Sequence, residues 1–239
     1  MFQTDPFSLI VLFVGLSLLP FVAMVATSYL KIVVVMSLIR NALGIQSIPP
    51  NMVINALAMI LTFYIMAPVA SESWAIAQKE LGSSEVAQTV NEAAAQPSSA
   101  QTAQLADRSA TRLPDLSAAA EPFRRFLSDH TSPRERAFFI NTAETLWGKN
   151  GEPAKVDPES YYILLPAFCV SELTKAFQIG FLVYLPFIAI DIIVSNILLA
   201  MGMMMVSPVT ISLPFKLLLF VMVNGWTLLI QGLVRGYIL

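Results

Sequence analysis

Catalysis or metal binding in this chain would have to be assembled from one histidine, His130, and one cysteine, Cys169. Zinc sites draw several Cys, His or carboxylate ligands at close spacing, and a Cys–His nucleophilic pair would have to join two separate segments. Neither GxGxxG nor GxxxxGK[ST] occurs, so a phosphate-cradling nucleotide site has no support. We assign no catalytic residue, no metal and no cofactor, expect no enzyme, and read Cys169 as structural.

Two other groups of residues stand out. Glu172, Lys175, Asp191 and Lys216 lie in or beside apolar segments, where a lipid-exposed charge costs about 2.5–3.5 kcal/mol. They must be paired, buried against protein, or hydrated. Glu172 and Lys175, at i and i+3 on a helix, can satisfy each other. Asp191 and Lys216 need partners from elsewhere in this chain or from another, a first hint of assembly. The second group is Met201, Met203, Met204 and Met205, four of 11 methionines within five residues. Such a run is either apolar filler in a membrane helix or a pliable seal, because an unbranched thioether side chain fills gaps that change shape. On an unbroken helix Met201, Met204 and Met205 share a face and Met203 points away. A helix that loosens at Gly202 would let all four converge on one opening.

The elements that carry these residues are unusually apolar. Of 239 residues, 56% are hydrophobic and 13% charged, with mean hydropathy +0.69, against about 45–50% and about 25% in an ordinary soluble domain. A net charge of −2 and a single cysteine exclude a basic nucleic-acid binder and a disulfide scaffold. Residues 71–160 hold 22 of the 30 charged side chains, which divides the chain into a hydrophobic helical hairpin (1–70), a polar middle (71–160) and hydrophobic C-terminal helices (161–239).

Leu9–Ala26 is 18 residues without a charge, long enough for a spanning segment. Nothing basic precedes it except the amino terminus, so we expect an uncleaved segment rather than a signal peptide. A link from Lys31 to Ile48-Pro49-Pro50 separates it from Met52–Val69. The link holds Lys31 and Arg40 and no acid, which by the positive-inside rule places the N-terminus and the middle outside the cytoplasm. Within the middle, Gly82–Ala120 is Ala/Gln/Ser-rich and is read as a mobile or loosely helical insert. Pro122–Trp147 has the spacing of amphipathic helices, with Pro133 at a helix start after Thr131-Ser132. Phe177–Val206 spans 30 residues with one charge, Asp191. As one helix it would be about 45 Å long, so either Pro186 and Asp191 mark a break or part of it packs in protein.

Three blocks then become specific: PAF-x₃-EL-x-KAF-x-IGF at Pro166–Phe181, LPF-x-AID at Leu185–Asp191, and MGMMM-x-x-P-x-x-ISLPFK at Met201–Lys216. With Thr27–Asn51 and PFRRFLSDHT at Pro122–Thr131, they resemble the export-apparatus R subunit of bacterial type III secretion systems, the SctR/YscR and FliP family. The uncleaved N-terminus favours its injectisome branch, which serves virulence. Nothing is carried over to Gly82–Ala120, which looks longer and simpler than the family's segment.

The resemblance implies an all-α protein of membrane-associated hairpins with a helical periplasmic middle domain. Five copies would wind with S and T subunits into a cone-like pore at the bacterial inner membrane, largely on its periplasmic side. The U switch subunit and V export-gate subunit would be further partners, and unfolded secreted proteins the transit substrates. It also implies that Met203, Met204 and Met205, and less directly Met201, form a gasket closing the channel at rest, and that Asp191 and Lys216 face neighbouring subunits. The competing reading is a proton-coupled small-solute transporter with Glu172, Lys175 and Asp191 as a relay, although no internal repeat of the kind common in transporters is present.

Overall fold

The computed structural model describes residues 6–45, 48–94, 117–148, 154–203 and 205–238. Every regular element among them is a helix, so the all-α class holds. In chain order they are α1 (Pro6–Val25), α2 (Tyr29–Ala42), α3 (Asn51–Ala94), α4 (Ser117–His130), α5 (Pro133–Trp147), α6 (Tyr161–Ala200), α7 (Pro208–Met222) and α8 (Gly225–Arg235). They group into two compact units: Met1–Met66 with His130–Leu239, and Ala67–Asp129.

The larger unit is organised by α2. Ile32, Val35, Met36, Ile39 and Ala42 recur at helical spacing and are all buried, the pattern that turns one face inward. That stripe shares one buried cluster with Ala176 and Phe187 of α6, Phe220 of α7, Leu229 and Leu233 of α8, and Ile54 and Ala58 of α3. Each large side chain so buried contributes about 1.5–3 kcal/mol. The segment Lys31–Pro50, expected as a link, is therefore largely a central helix. Its run of Ile and Val hides the period, because nearly every position is apolar. The two basic residues expected in a loop are also committed elsewhere. Lys31 is buried, and Arg40, in the last turn of α2, donates to the Pro49 carbonyl at 3.3 Å and to the Asn51 side chain. An orientation inferred from them as free loop charges loses its basis.

The helix α6 runs along α2 and also packs against α5 and α7. It is 40 residues long, about 60 Å at 1.5 Å per residue, twice a hydrocarbon core of about 30 Å. Pro166 and Pro186 lie inside it, so neither Pro186 nor Asp191 breaks it; of the two alternatives, packing of part of the helix in protein holds, through Ala176 and Phe187. A proline removes one hydrogen bond and kinks a helix; here the helix continues and its flanks keep their packing. The interruption comes instead after Ala200.

Asn51–Glu80 and Tyr161–Ala200 are each long and apolar enough to cross a membrane. Two bent pairs would add to them: Phe13–Val25 with Tyr29–Ala42, at 57°, and α7 with α8, at 59°. Among the described residues there are thus two membrane-capable helices, or up to four segments if each bent pair is one span. α5 begins as its sequence suggests, with Ser132 as extended N-cap and Pro133 in the first turn. Because α5 packs on α6, the compact unit's edge at His130 does not coincide with the hydropathy boundary near residue 160.

In the smaller unit, Arg125 reaches Glu72 at 3.7 Å and Arg124 reaches Glu121 at 2.8 Å; such exposed pairs contribute little. Of the segment Gly82–Ala120, α3 extends to Ala94 and α4 opens at Ser117, while residues 95–116 lie outside the described residues.

The close approach of α2 and α6 depends on Gly180. A Cβ there would sit 2.3 Å from Leu38 Cδ1 and 3.3 Å from Leu38 Cβ. Gly180→Val is expected to destabilise the larger unit by about 1–3 kcal/mol through overpacking, read as a lowered melting temperature of the detergent-solubilised chain. An unchanged melting temperature would contradict this contact.

Candidate functional site

The charges in the apolar segments form two separate clusters. The first is centred on Glu172, which has no exposed surface. One carboxylate oxygen lies 3.0 Å from Lys31 Nζ, the other 3.0 Å from Lys175 Nζ. Tyr237, beyond the end of α8, donates its phenolic hydrogen to the same carboxylate. Its ring also lies beneath Lys31, with Nζ 3.5 Å from the centroid, a cation–π contact. Lys175 also donates to the His130 carbonyl at 2.6 Å, and the His130 and Tyr237 rings are 5.1 Å apart. Burial first, and the facing Glu172 carboxylate second, push the Tyr237 phenol above its usual range. It therefore stays protonated and keeps donating.

Glu172 is thus neutralised by α2 and by its own helix, and its lone pairs are occupied. Pairing with the lysines is what lets a carboxylate be buried here, because desolvation costs several kcal/mol per ion. Nearby, Ser171 Oγ accepts from the Ser132 amide at 3.0 Å, which ties the start of α5 to α6.

The second cluster joins α6 to α7. Lys216 Nζ donates to Asp191 Oδ2 at 2.6 Å, and the fully buried Ser212 hydroxyl donates to Oδ1 at 2.6 Å. Lys216 also reaches the Ala42 carbonyl at 3.3 Å, at the C-terminal end of α2 where a cation is favoured by the helix dipole. Asp191 and Lys216, which the sequence left in search of partners, are partners of each other within one chain. Neither needs a neighbouring subunit to be neutralised.

This clasp holds the stalk of a helical hairpin. Asp191 lies nine residues before the end of α6 and Lys216 eight after the start of α7, about 12–14 Å below the tip. The tip is the methionine loop. α6 ends in a Schellman motif: Met203 N–H bonds to the Leu198 carbonyl and Gly202 N–H to that of Leu199, both at 3.0 Å. Gly202 adopts φ +76°, the left-handed conformation glycine takes without steric cost. The helix therefore does stop at Gly202. Met201, Met203 and Met205 are exposed on the loop, and Met205 is fully so; Met204 lies outside the described residues.

Lys31, Ser212 and Tyr237 are the participants that sequence reasoning missed. Lys31 had a signal: it stands four residues before Val35, in phase with the buried stripe of α2. Tyr237 had none, since only the folded chain brings it to Glu172. Glu172 and Asp191 are 19 residues apart on continuous α6, about 28 Å, so the residues suggested for a proton relay do not form one site. Among the described residues, no group of three or more His, Cys, Asp or Glu is placed to hold a metal ion.

This is an all-helical protein with membrane-capable segments, whose apolar helices are fastened by two internal ion clusters, one of which clasps the hairpin that carries an exposed methionine loop. The chain belongs to the FliP family, whose model matches residues 12–233. It is similar to Yop proteins translocation protein R of Yersinia pestis, at 49% identity over 98% of this chain and 97% of that protein. It is also similar to Hypersensitivity response secretion protein HrcR of Ralstonia nicotianae, at 45% over 96% of each chain. A further relative, Virulence protein YscR of Salmonella typhimurium, is 42% identical over 98% of this chain and 97% of its own length.

Removing Glu172 would leave Lys31 buried and facing Lys175. Glu172→Ala is therefore expected to cost about 3–5 kcal/mol. Lys175→Ala, at a side chain 39% exposed, should cost less than about 1 kcal/mol. Denaturation of the two variants in detergent tests this, and equal losses would contradict the placement.

Proposed function

We propose that the chain is a core subunit of the inner-membrane export gate of a type III secretion system, of the injectisome branch. Several copies, five by resemblance to the family, assemble with S and T subunits around a protein-conducting channel and work with the U switch and V export-gate subunits. Much of the assembly lies on the periplasmic side, and unfolded secreted proteins pass along its axis. Relatives named for translocation and secretion over nearly the whole chain support this reading.

The observation that carries the mechanism is the methionine loop. It sits at the tip of a hairpin clasped by Asp191, Ser212 and Lys216, and its described methionines are exposed in the single chain. Repeated around an axis, Met201, Met203, Met204 and Met205 supply a collar of soft thioether side chains. Such side chains fill an irregular gap and repack around a passing polypeptide whatever its sequence. The rigid stalk gives the collar a fixed place, and the glycine-terminated helix end lets consecutive methionines turn to the opening. Energy for transport is supplied elsewhere in the apparatus. The relay needed by a small-solute transporter is not favoured, given the separation of Glu172 from Asp191 along α6.

Replacing Met203, Met204 and Met205 together with alanine is expected to raise ion leakage through the resting assembly several-fold, measured as conductance of the reconstituted complex or of whole cells. Assembly should remain intact, because the clasp is untouched. Leakage equal to that of the unaltered complex would refute the seal.

A further inference from the structure

The helix α8 is short and is held inward by few residues. It has 11 residues, fewer than the roughly 12–15 that an isolated helix needs to be even marginally stable in water. It is not stiffened by α7, because the pair bends by 59° at Asn224, which takes φ 52°. Its inward anchors are Leu229 and Leu233. One turn beyond its end, Tyr237 enters the Glu172 cluster with both of its chemical faces: the hydroxyl on the carboxylate, and the ring beneath Lys31 and beside His130.

We propose that Tyr237 is a positioning residue, a latch that fastens the far end of α8 to α2 and α6 through Glu172 and Lys31. Two properties make it a latch rather than core filler. Its hydroxyl donates to a carboxylate that already holds two lysines, so release of the phenol leaves Glu172 neutralised and the α2–α6 contact intact. The residues on either side are exposed: Gly236 and Ile238 face outward while Tyr237 turns in. Release thus uncovers one ring and frees the chain beyond the anchors Leu229 and Leu233, where Arg235 lies. The inference concerns a different part of the chain from the methionine loop and stands whether or not that loop seals a channel.

Limited trypsin digestion of the full chain in detergent, followed by mass spectrometry, tests it. Arg235 is exposed and two residues from the latch, whereas Lys31 is buried and reports opening of the core. Cleavage that samples a transiently opened state follows the population of that state. Losing a hydrogen bond to a charged group then gives roughly tenfold faster cleavage after Arg235 in Tyr237→Phe. Tyr237→Ala, which also loses the ring, should be cleaved faster still. Cleavage after Lys31 should stay at its original rate in both. An unchanged rate at Arg235 in Tyr237→Phe would overturn the latch. So would acceleration at Lys31 in parallel with Arg235, which would make Tyr237 an ordinary core residue. Should the alanine variant fail to fold, the phenylalanine variant carries the test alone.

Discussion

An ion in an apolar chain must be neutralised where it stands, and Glu172 shows how strictly this constraint shapes the fold. A carboxylate with no exposed surface obliges α2 to lie against α6 in the one register that brings Lys31 within 3.0 Å. The same stripe of α2 that carries Lys31 continues through Ile32, Val35, Met36 and Ile39, so satisfying the charge and burying the apolar face require the same orientation. Desolvation cancels much of the pair's attraction, so its net contribution to stability is small beside the cost of removing one partner.

The second cluster extends this logic to the hairpin that carries the methionine loop. Asp191, Ser212 and Lys216 fix α7 against α6, and Lys216 adds the C-terminal carbonyl of α2. The methionine loop is thus mounted on a stalk whose position relative to the central helix is set by directed hydrogen bonds. Leucines and valines alone would leave the stalk freer to slide, since apolar contact is non-directional. Softness at the tip and rigidity in the stalk are complementary: the side chains can change shape while their backbone stays in place.

Much of this was legible in the sequence. The apolar runs, the helix start at Pro133, the i,i+3 relation of Glu172 and Lys175, and the weak point at Gly202 all depend on local spacing or on one residue's backbone preferences. What stayed hidden depends on tertiary contact. The span Lys31–Ala42 looked like a link because an almost uniformly apolar stretch shows no period, and its lysine looked like a loop charge because its carboxylate partner is 141 positions away. Pro186 looked like a break because proline disfavours helix locally, whereas α6 is held on both sides by packing that a local rule does not see. The partner of Asp191 was in the chain all along, but hydropathy cannot tell a charge that meets its own chain from one that meets a neighbour.

Asp191 and Lys216 are satisfied inside one chain, which in the proposed assembly leaves the methionine loops free to meet at a shared opening. Cysteines at both ends of the clasp, Asp191→Cys with Lys216→Cys in a Cys169→Ser background, test this directly when the assembled complex is treated with a short bis-maleimide, which spans the gap left by the shortened lysine, and run on a denaturing gel. A cross-link closed within one chain, with monomeric mobility and the two peptides linked by mass spectrometry, is the result expected. A ladder of dimers and higher species joined through the same cysteines would show that the pair bridges neighbouring copies, and would contradict the account.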